Sequence, residues 1–223
     1  MLSEEAPAWT VWALTDAERC VVQDASRIVE YHRRRCIYTP GDHGDNLFIL
    51  LSGVVKLQIV SPEGRELTLG FLRPGNVFGE HAIADPGPRD HIAEAHEDSV
   101  VYSVSGAALR RIPERSPGVG FEVMRLLSLH MTAYRARVKE LLYRSALARV
   151  AHTLLDLAGH HGVKDAEGVV IPLRLSQRDI ANLVGLTRET VNFVLKDLRQ
   201  RKLLENQGRN IRVRSPEVLD GLR

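Results

Sequence analysis

The sequence predicts an α+β chain in three parts: a β-rich N-terminal half, one long helix, and a small helical unit that ends in a hairpin. Three observations carry this. Turn signals at Pro40-Gly41, Gly53, Glu63-Gly64, Pro74-Gly75 and Pro86-Gly87 place glycines 12, 11, 11 and 12 residues apart. Residues 119–145 contain no proline and repeat apolar residues every three or four positions. The stretch 175–198, LSQRDIANLVGLTRETVNFVLKDL, reads as two short helices broken at Gly185. The expected boundaries are 1–116, 117–145 and 146–223, and 223 residues suffice for two modest cores.

In chain order, residues 13–32 read as a short helical lead-in. The apolar runs Leu47–Leu51, Val54–Val60, Leu67–Phe71, Ile92–Ala95 and Val100–Val104 then lie between the regular turns. Short β-prone runs at such spacing predict an all-β sandwich or barrel.

In the long helix, Met124, Leu127, Met131, Tyr134, Val138 and Leu141 step by 3, 4, 3, 4, 3. That is the seam of a two-stranded coiled coil, so a second copy of the chain is the expected partner. The competing reading is an amphipathic helix packed inside its own subunit, which needs a wider apolar face. Val123, Leu126 and Leu142 supply a second stripe, expected against the β half.

In the C-terminal unit, Ser176 opens an S-x-x-D that can cap a helix start. Ile180, Leu183 and Val184 give that helix one apolar face. Gly185 can end it in the left-handed conformation, and Thr187 can cap the next helix. Val191, Val194, Leu195 and Leu198 form the second buried stripe. Two helices joined so tightly form a helix-turn-helix, which lays its second helix in the DNA major groove. Arg188, Glu189, Asn192 and Phe193 fall outside the buried stripe and are the candidate base readers. Arg can bond a guanine edge bidentately, and Glu can accept from cytosine N4. Ser176, Gln177, Arg178, Thr187, Thr190 and Lys196 are candidate phosphate contacts. The plain alternative is a solvated helix face. Leu203-Leu204, the polar turn 205–210 and the alternating run Ile211–Arg214 read as a small hairpin, the wing of a winged helix. Its Arg209 and Arg212 can reach phosphates, although a hairpin that only packs on the helices fits the same residues.

Charge agrees with this division. Residues 146–223 carry 13 Lys and Arg against 9 Asp and Glu; residues 1–145 carry 17 against 19. The basic half is the one with the helix-turn-helix, as backbone binding to DNA requires.

Three pieces make a resemblance specific: the hairpin Pro62-Glu63-Gly64-Arg65-Glu66, the element Arg73-Pro74-Gly75-x-x-Phe78-Gly79-Glu80, and the loop ending in Arg89. With the run GLTRETV at 185–191, they resemble the cAMP receptor protein/FNR (Crp/Fnr) family of bacterial transcription regulators over essentially the whole chain beyond residue 20. The resemblance implies a cyclic-nucleotide-binding-like β-roll (a double-stranded β-helix, or jelly roll), a long dimerisation helix and a C-terminal winged helix-turn-helix. It also implies a homodimer on double-stranded DNA with half-sites similar to TGTGA, and RNA polymerase as a partner. Phe193 stands where cAMP-type members usually carry a third basic reader, so a lost polar readout or a thymine-methyl contact is expected there.

For a cyclic nucleotide, Arg89 can neutralise the phosphate with paired donors. Backbone N–H groups around Gly79 and Glu80 can add hydrogen bonds, and the Glu80 carboxylate can accept from the ribose 2′-OH. An internal Arg89–Glu80 ion pair is the alternative. Asp90 stands where cAMP binders carry a small hydroxyl residue, and its charge would repel a phosphate unless it turns away. The adenine-facing hydroxyl pair of cAMP binders falls near Tyr134 and Arg135, both bulky. The effector is therefore cAMP, another small nucleotide, or none. A haem-dependent branch places an axial histidine near His81, but a partly buried loop histidine is the simpler reading and haem is disfavoured. Cys20 and Cys36 form no CxxC, and the nine histidines show no metal-ligand spacing. No nucleophile elbow, P-loop or HExxH points to an enzyme. Residues 1–12 lack the features of a secretory signal, and no apolar run reaches membrane-spanning length, so a cytoplasmic protein without a membrane partner is expected. A ligand-binding module that acts on a protein partner is the competing function.

Overall fold

The computed structural model describes residues 12–84, 87–208 and 210–222. Two compact units emerge, Met1–Glu63 with Leu69–Ala133 and Gly64–Thr68 with Tyr134–Arg223.

The elements of the first half run α1 (Asp16–Asp24), β1 (Ser26–Tyr31), β2 (Cys36–Tyr38), β3 (His43–Gly44), β4 (Asn46–Ser52), β5 (Val55–Val60), β6 (Glu66–Leu72), β7 (Val77–Phe78), α2 (His81–Ala84), β8 (Gly87–Pro88), β9 (Ile92–Ala95) and β10 (Ser99–Ser105). They are followed by α3 (Gly106–Arg115) and α4 (Pro117–Tyr143). The strands form antiparallel sheets of order β1-β10-β4-β7 and β2-β9-β5-β6, with β3 paired to β8. All five apolar runs marked in the sequence are strands. The helical lead-in is only half correct. Thr15 closes a capping box with Glu18 and starts α1, but the chain leaves the helix at Ala25, and Ser26–Tyr31 pairs along β10. The ladder with β10 decides that segment, and no local signal announces it.

Strand β4 explains how the first unit is built. Leu47, Ile49 and Leu51 face a core shared with Trp12, Val22, Ile112, Val119, Val123 and Leu126. Phe48 and Leu50 face a second core with Tyr38, Leu57, Phe78, Ala93 and Val101 between the two sheets. Both faces are buried, so the strand reads as an unbroken apolar run instead of alternating.

The second unit continues with α5 (Ala146–His161), β11 (Val163–Asp165), β12 (Gly168–Ile171), α6 (Gln177–Val184), α7 (Arg188–Gln200), β13 (Leu204–Gln207), β14 (Asn210–Val213) and α8 (Pro216–Asp220). Helix α5 packs on α6, α7 and α8, and the four strands form one antiparallel sheet, β11-β12-β14-β13. The hairpin expected as a wing is β13–β14, extended by β11–β12. Residues 160–168 finish α5, form β11 and begin β12. No helix among the described residues is long and apolar enough to cross a membrane.

Candidate DNA-binding and effector sites

Local caps fix the helix pair. Ser176 Oγ accepts from Asp179 N at 3.1 Å and donates to Asp179 Oδ2 at 2.7 Å, and Ser176 N donates to the same carboxylate at 2.8 Å. Gly185 ends α6 at φ 61°, ψ 40°, a left-handed conformation that glycine adopts without strain. Arg149 Nη1 donates to Val184 O at 3.1 Å and so satisfies one of the last carbonyls of α6. Thr187 caps α7 by accepting from Thr190 N at 3.2 Å, with its hydroxyl 3.0 Å from that of Thr190.

The second helix then sorts by burial. Val191, Val194, Leu195 and Leu198 are buried. Arg188, Glu189, Asn192, Phe193 and Lys196 are all exposed, and Phe193 retains 74% of its surface. Arg188, Glu189 and Lys196 enter none of the ion pairs found among the described residues. Asn192 is held: its Oδ1 accepts from Gln177 Nε2 at 3.0 Å, which ties the exposed edge of α6 to α7. Asn192 keeps its Nδ2 donors and the second lone pair of its oxygen for another partner. Asn192 is thus a half-used amide rather than the open bidentate adenine reader its residue type suggests.

Several expected phosphate contacts are differently employed. The hydroxyls of Ser176 and Thr187 are taken up as caps. Arg178 lies 3.5 Å from the Glu66 carboxylate. Arg212 departs most from expectation. Its side chain is 11% exposed and bridges Asp165 at 2.7 Å, Glu167, and Glu205 at 3.5 Å. Arg214 closes the network on Glu205 at 2.7 Å. Burial opposes the charge on Arg212, but the Asp165 and Glu167 carboxylates outweigh it and raise its pKa. Arg212 therefore fastens β11–β12 to the wing. Arg209 lies outside the described residues.

The first unit holds a separate polar constellation around Arg89, which is 3% exposed. Its Nη2 donates to Asn46 O at 2.7 Å, while Nε and Nη1 are buried without an acceptor among the described residues. No ion pair to Glu80 forms, which removes the internal alternative. The guanidinium lies over the Tyr38 ring, 4.6 Å from its centroid, and near Phe48. Gly44 and Gly79 are the walls. A Cβ on Gly44 would sit 2.6 Å from Arg89 Nε, and one on Gly79, at φ 79°, 3.1 Å from Nη1.

Asp90 turns away from this guanidinium. Its Oδ1 lies 2.6 Å from His91 Nδ1, and its Oδ2 3.8 Å from His81 Nε2. An ionised carboxylate only accepts, so His91 Nδ1–H donates, and its Nε2 lies in hydrogen-bond contact with the Tyr38 hydroxyl at 2.6 Å. Burial works against the Asp90 charge, but the His91 hydrogen bond and the two imidazoles hold its carboxyl below the usual carboxylate value. The relay Tyr38–His91–Asp90 went unnoticed in the sequence because its members are 53 and one residues apart. His81 is half-buried, with its Nε2 towards Asp90. Glu80 is near enough to influence His130, whose pKa burial lowers while the Glu80 charge opposes that shift.

On α4, Val119, Val123 and Leu126 are buried in the first unit, and Leu127 packs against the same core. Leu141 lies close to Gly185 in the second unit. Met124, Met131, Tyr134 and Val138 of the expected seam are exposed, as is Arg135. Phe121 and Leu142 are exposed too, so Leu142 does not join the β-facing stripe. The outward line is Phe121, Met124, Ser128, Met131, Arg135, Val138 and Leu142, still in steps of three and four. The inward core claims Leu127 and shifts the line by one position at alternate turns.

Comparison with known proteins bears on both sites. The cyclic nucleotide-binding domain family matches residues 28–116, and the Crp-like helix-turn-helix domain family matches residues 148–222. A CRP-like cAMP-activated global transcriptional regulator of Mycobacterium tuberculosis is 32% identical over 191 residues, covering 86% of this chain and 85% of that protein. The chain belongs to the Crp/Fnr family of transcription regulators. A second Crp/Fnr relative, the global nitrogen regulator of Nostoc, is 31% identical over 192 residues, covering 85% of this chain and 86% of its own. Among solved structures, the c-di-GMP responsive global regulator CLP of Xanthomonas campestris matches with a TM-score of 0.80 at 24% identity, over 90% of this chain and all of that one. A CRP-family regulator of Thermus thermophilus gives 0.71 at 28% identity, over 86% and 94%. This Crp/Fnr chain thus has an effector-type β domain and a Crp-like helix-turn-helix, with Arg89 in the first and Arg188 and Glu189 in the second.

Proposed function

We propose that this regulator works as a homodimer, reads a pseudo-palindromic operator through Arg188 and Glu189, and answers to a small anionic effector held by Arg89. The exposed outward face of α7, with both residues in its first turn and outside every ion pair among the described residues, carries the DNA reading. Two such helices on a two-fold axis suit TGTGA-like half-sites about 34 Å apart. The outward line of α4 supplies the two-fold seam, with Phe121, Met124, Met131, Val138 and Leu142 as its apolar members. First-turn N–H groups of α6, with Gln177, Arg178, Thr190 and Lys196, serve the phosphates.

A buried guanidinium with two nitrogens, Nε and Nη1, unanswered among the described residues fits a phosphate-bearing ligand, so a cyclic nucleotide is the effector class that the pocket suits. The Gly79 and Glu80 backbone and the Glu80 carboxylate complete its phosphate and ribose contacts. Binding favours the dimer state whose recognition helices match the half-site spacing. RNA polymerase in the cytoplasm is the downstream partner.

Gel-shift titrations on DNA selected by the protein test the first part. Arg188→Ala should reduce discrimination between selected and scrambled sites by roughly tenfold or more, as loss of a bidentate base contact does. Unchanged discrimination refutes the assignment. Calorimetry with cAMP, cGMP and c-di-GMP tests the second part. At least one should bind the wild type and fail to bind Arg89→Met, and silence from all three refutes it.

A further inference from the structure

Phe193 is the feature of the α7 face that polar base reading leaves unexplained. At about 100° per residue, Val191, Val194, Leu195 and Leu198 centre on one side of the helix, and Glu189, Phe193, Lys196 and Gln200 centre opposite. Phe193 thus stands at the middle of the outward face, 74% exposed, with Glu189 one turn before it and Lys196 one turn after. A lone exposed aromatic is ordinary on a protein surface. A ring at the centre of a face that enters the major groove is not, because docking strips its water and sets it against base edges. Those edges are donors and acceptors, which a phenyl ring cannot answer. The single apolar group that base pairs display in the major groove is the thymine 5-methyl.

We propose that Phe193 is a specificity-determining residue that reads the 5-methyl group of one thymine in each half-site. The inference rests on the DNA-reading assignment of α7. Glu189 and Phe193 are one helical turn apart, so the thymine lies within about two base pairs of the base that Glu189 reads. The contact recognises a methyl on pyrimidine C5 and nothing else of the base. 5-Methylcytosine carries the same group at the same carbon, so a methylated C·G pair substitutes in part for T·A at this position, and unmethylated C·G does not.

The test is selection of a binding site from random duplex DNA by the full-length protein, followed by titrations on duplexes altered at single bases. Replacing the thymine by deoxyuridine removes only the methyl and should weaken binding roughly three- to tenfold, the range for burying one methyl group against an aromatic ring. Methylating a cytosine placed there should strengthen binding by a similar factor. Phe193→Ala should bind the thymine and deoxyuridine duplexes equally, and Phe193→Arg should shift the preference at that position towards guanine. If the wild type selects a defined site yet no thymine in it responds to loss of its methyl, the inference is overturned while the DNA-reading assignment stands. If the wild type selects no site at all, both fall.

Discussion

Replacing Arg89 with methionine should make the protein more stable when no effector is present. Two buried N–H groups without acceptors cost about 1–3 kcal/mol each. Against them stand the hydrogen bond from Nη2 to Asn46 O, about 2 kcal/mol for a charged donor, and the stacking on Tyr38, about 1 kcal/mol. Methionine keeps the apolar stem between Gly44, Gly79 and the Tyr38 and Phe48 rings, and thioethers pack well on aromatics. The balance is a gain of about 1 kcal/mol, which raises the melting temperature by roughly 3 °C in a unit of this size. Buried charges replaced by apolar groups of similar volume often behave this way. Differential scanning calorimetry of both proteins reads the shift directly. Effector at 100 times its Kd should then stabilise the wild type by about 2.7 kcal/mol and the variant not at all, so the order of melting temperatures reverses. A variant that melts below the wild type without effector would show that Arg89 is a structural partner, and would refute the reasoning.

Val138→Glu places a charge in the outward line of α4 and should convert a dimer to monomer by light scattering; an unchanged mass would remove the seam. Arg212→Met should speed hydrogen exchange in β13 and β14, since Asp165, Glu167 and Glu205 lose their shared counter-charge. The same variant should leave the salt slope of DNA binding unchanged, whereas loss of a direct phosphate contact lowers that slope by about one. His130 has a folded pKa below its unfolded value, so the unfolded chain binds more protons and stability falls as pH drops through and below about 6.5. Melting temperature should therefore decline from pH 7.5 to pH 5.5, and His130→Gln should flatten that slope. In the wing network, the Arg214 hydrogen bond holds Glu205 below its ordinary pKa, and the Glu167 backbone N–H does the same for Asp165. That contribution is present above the ordinary carboxylate range and disappears as pH falls through it, so exchange protection in β11–β14 should fail first on acidification.

How far the sequence was readable depended on the range of the interactions. The helix-turn-helix is clear because Ser176, Asp179, Gly185 and Thr187 each act on a partner no more than four residues away. The strands were clear because glycine turns bracket them. Strand β1 was lost to a helix because its ladder partner lies about 75 residues downstream in β10. Helix α5 was not singled out, although Ser145 caps it and Ala148, Ala151, Leu154 and Leu157 give it a buried face. For Arg212, sequence shows a cation in a hairpin, but only the fold shows three carboxylates around it. Asp90 is similar: its residue type predicts repulsion of a phosphate, and its rotamer sends the charge to His91 instead. On α4 a coiled-coil line and an inward stripe lie side by side, and only the folded core shows that Leu127 packs inward.

The bond between Gln177 and Asn192 has a consequence for how this surface can change over time. Asn192 meets DNA with its Nδ2 donors free and one lone pair of its oxygen already taken by Gln177. A substitution at 177 that removes the side-chain amide returns that oxygen to the groove and alters which base Asn192 accepts, without touching the second helix. The two positions are then one inherited character: drift at either should be answered at the other, and specificity redesigned at 192 alone would be redesigned against its own neighbour.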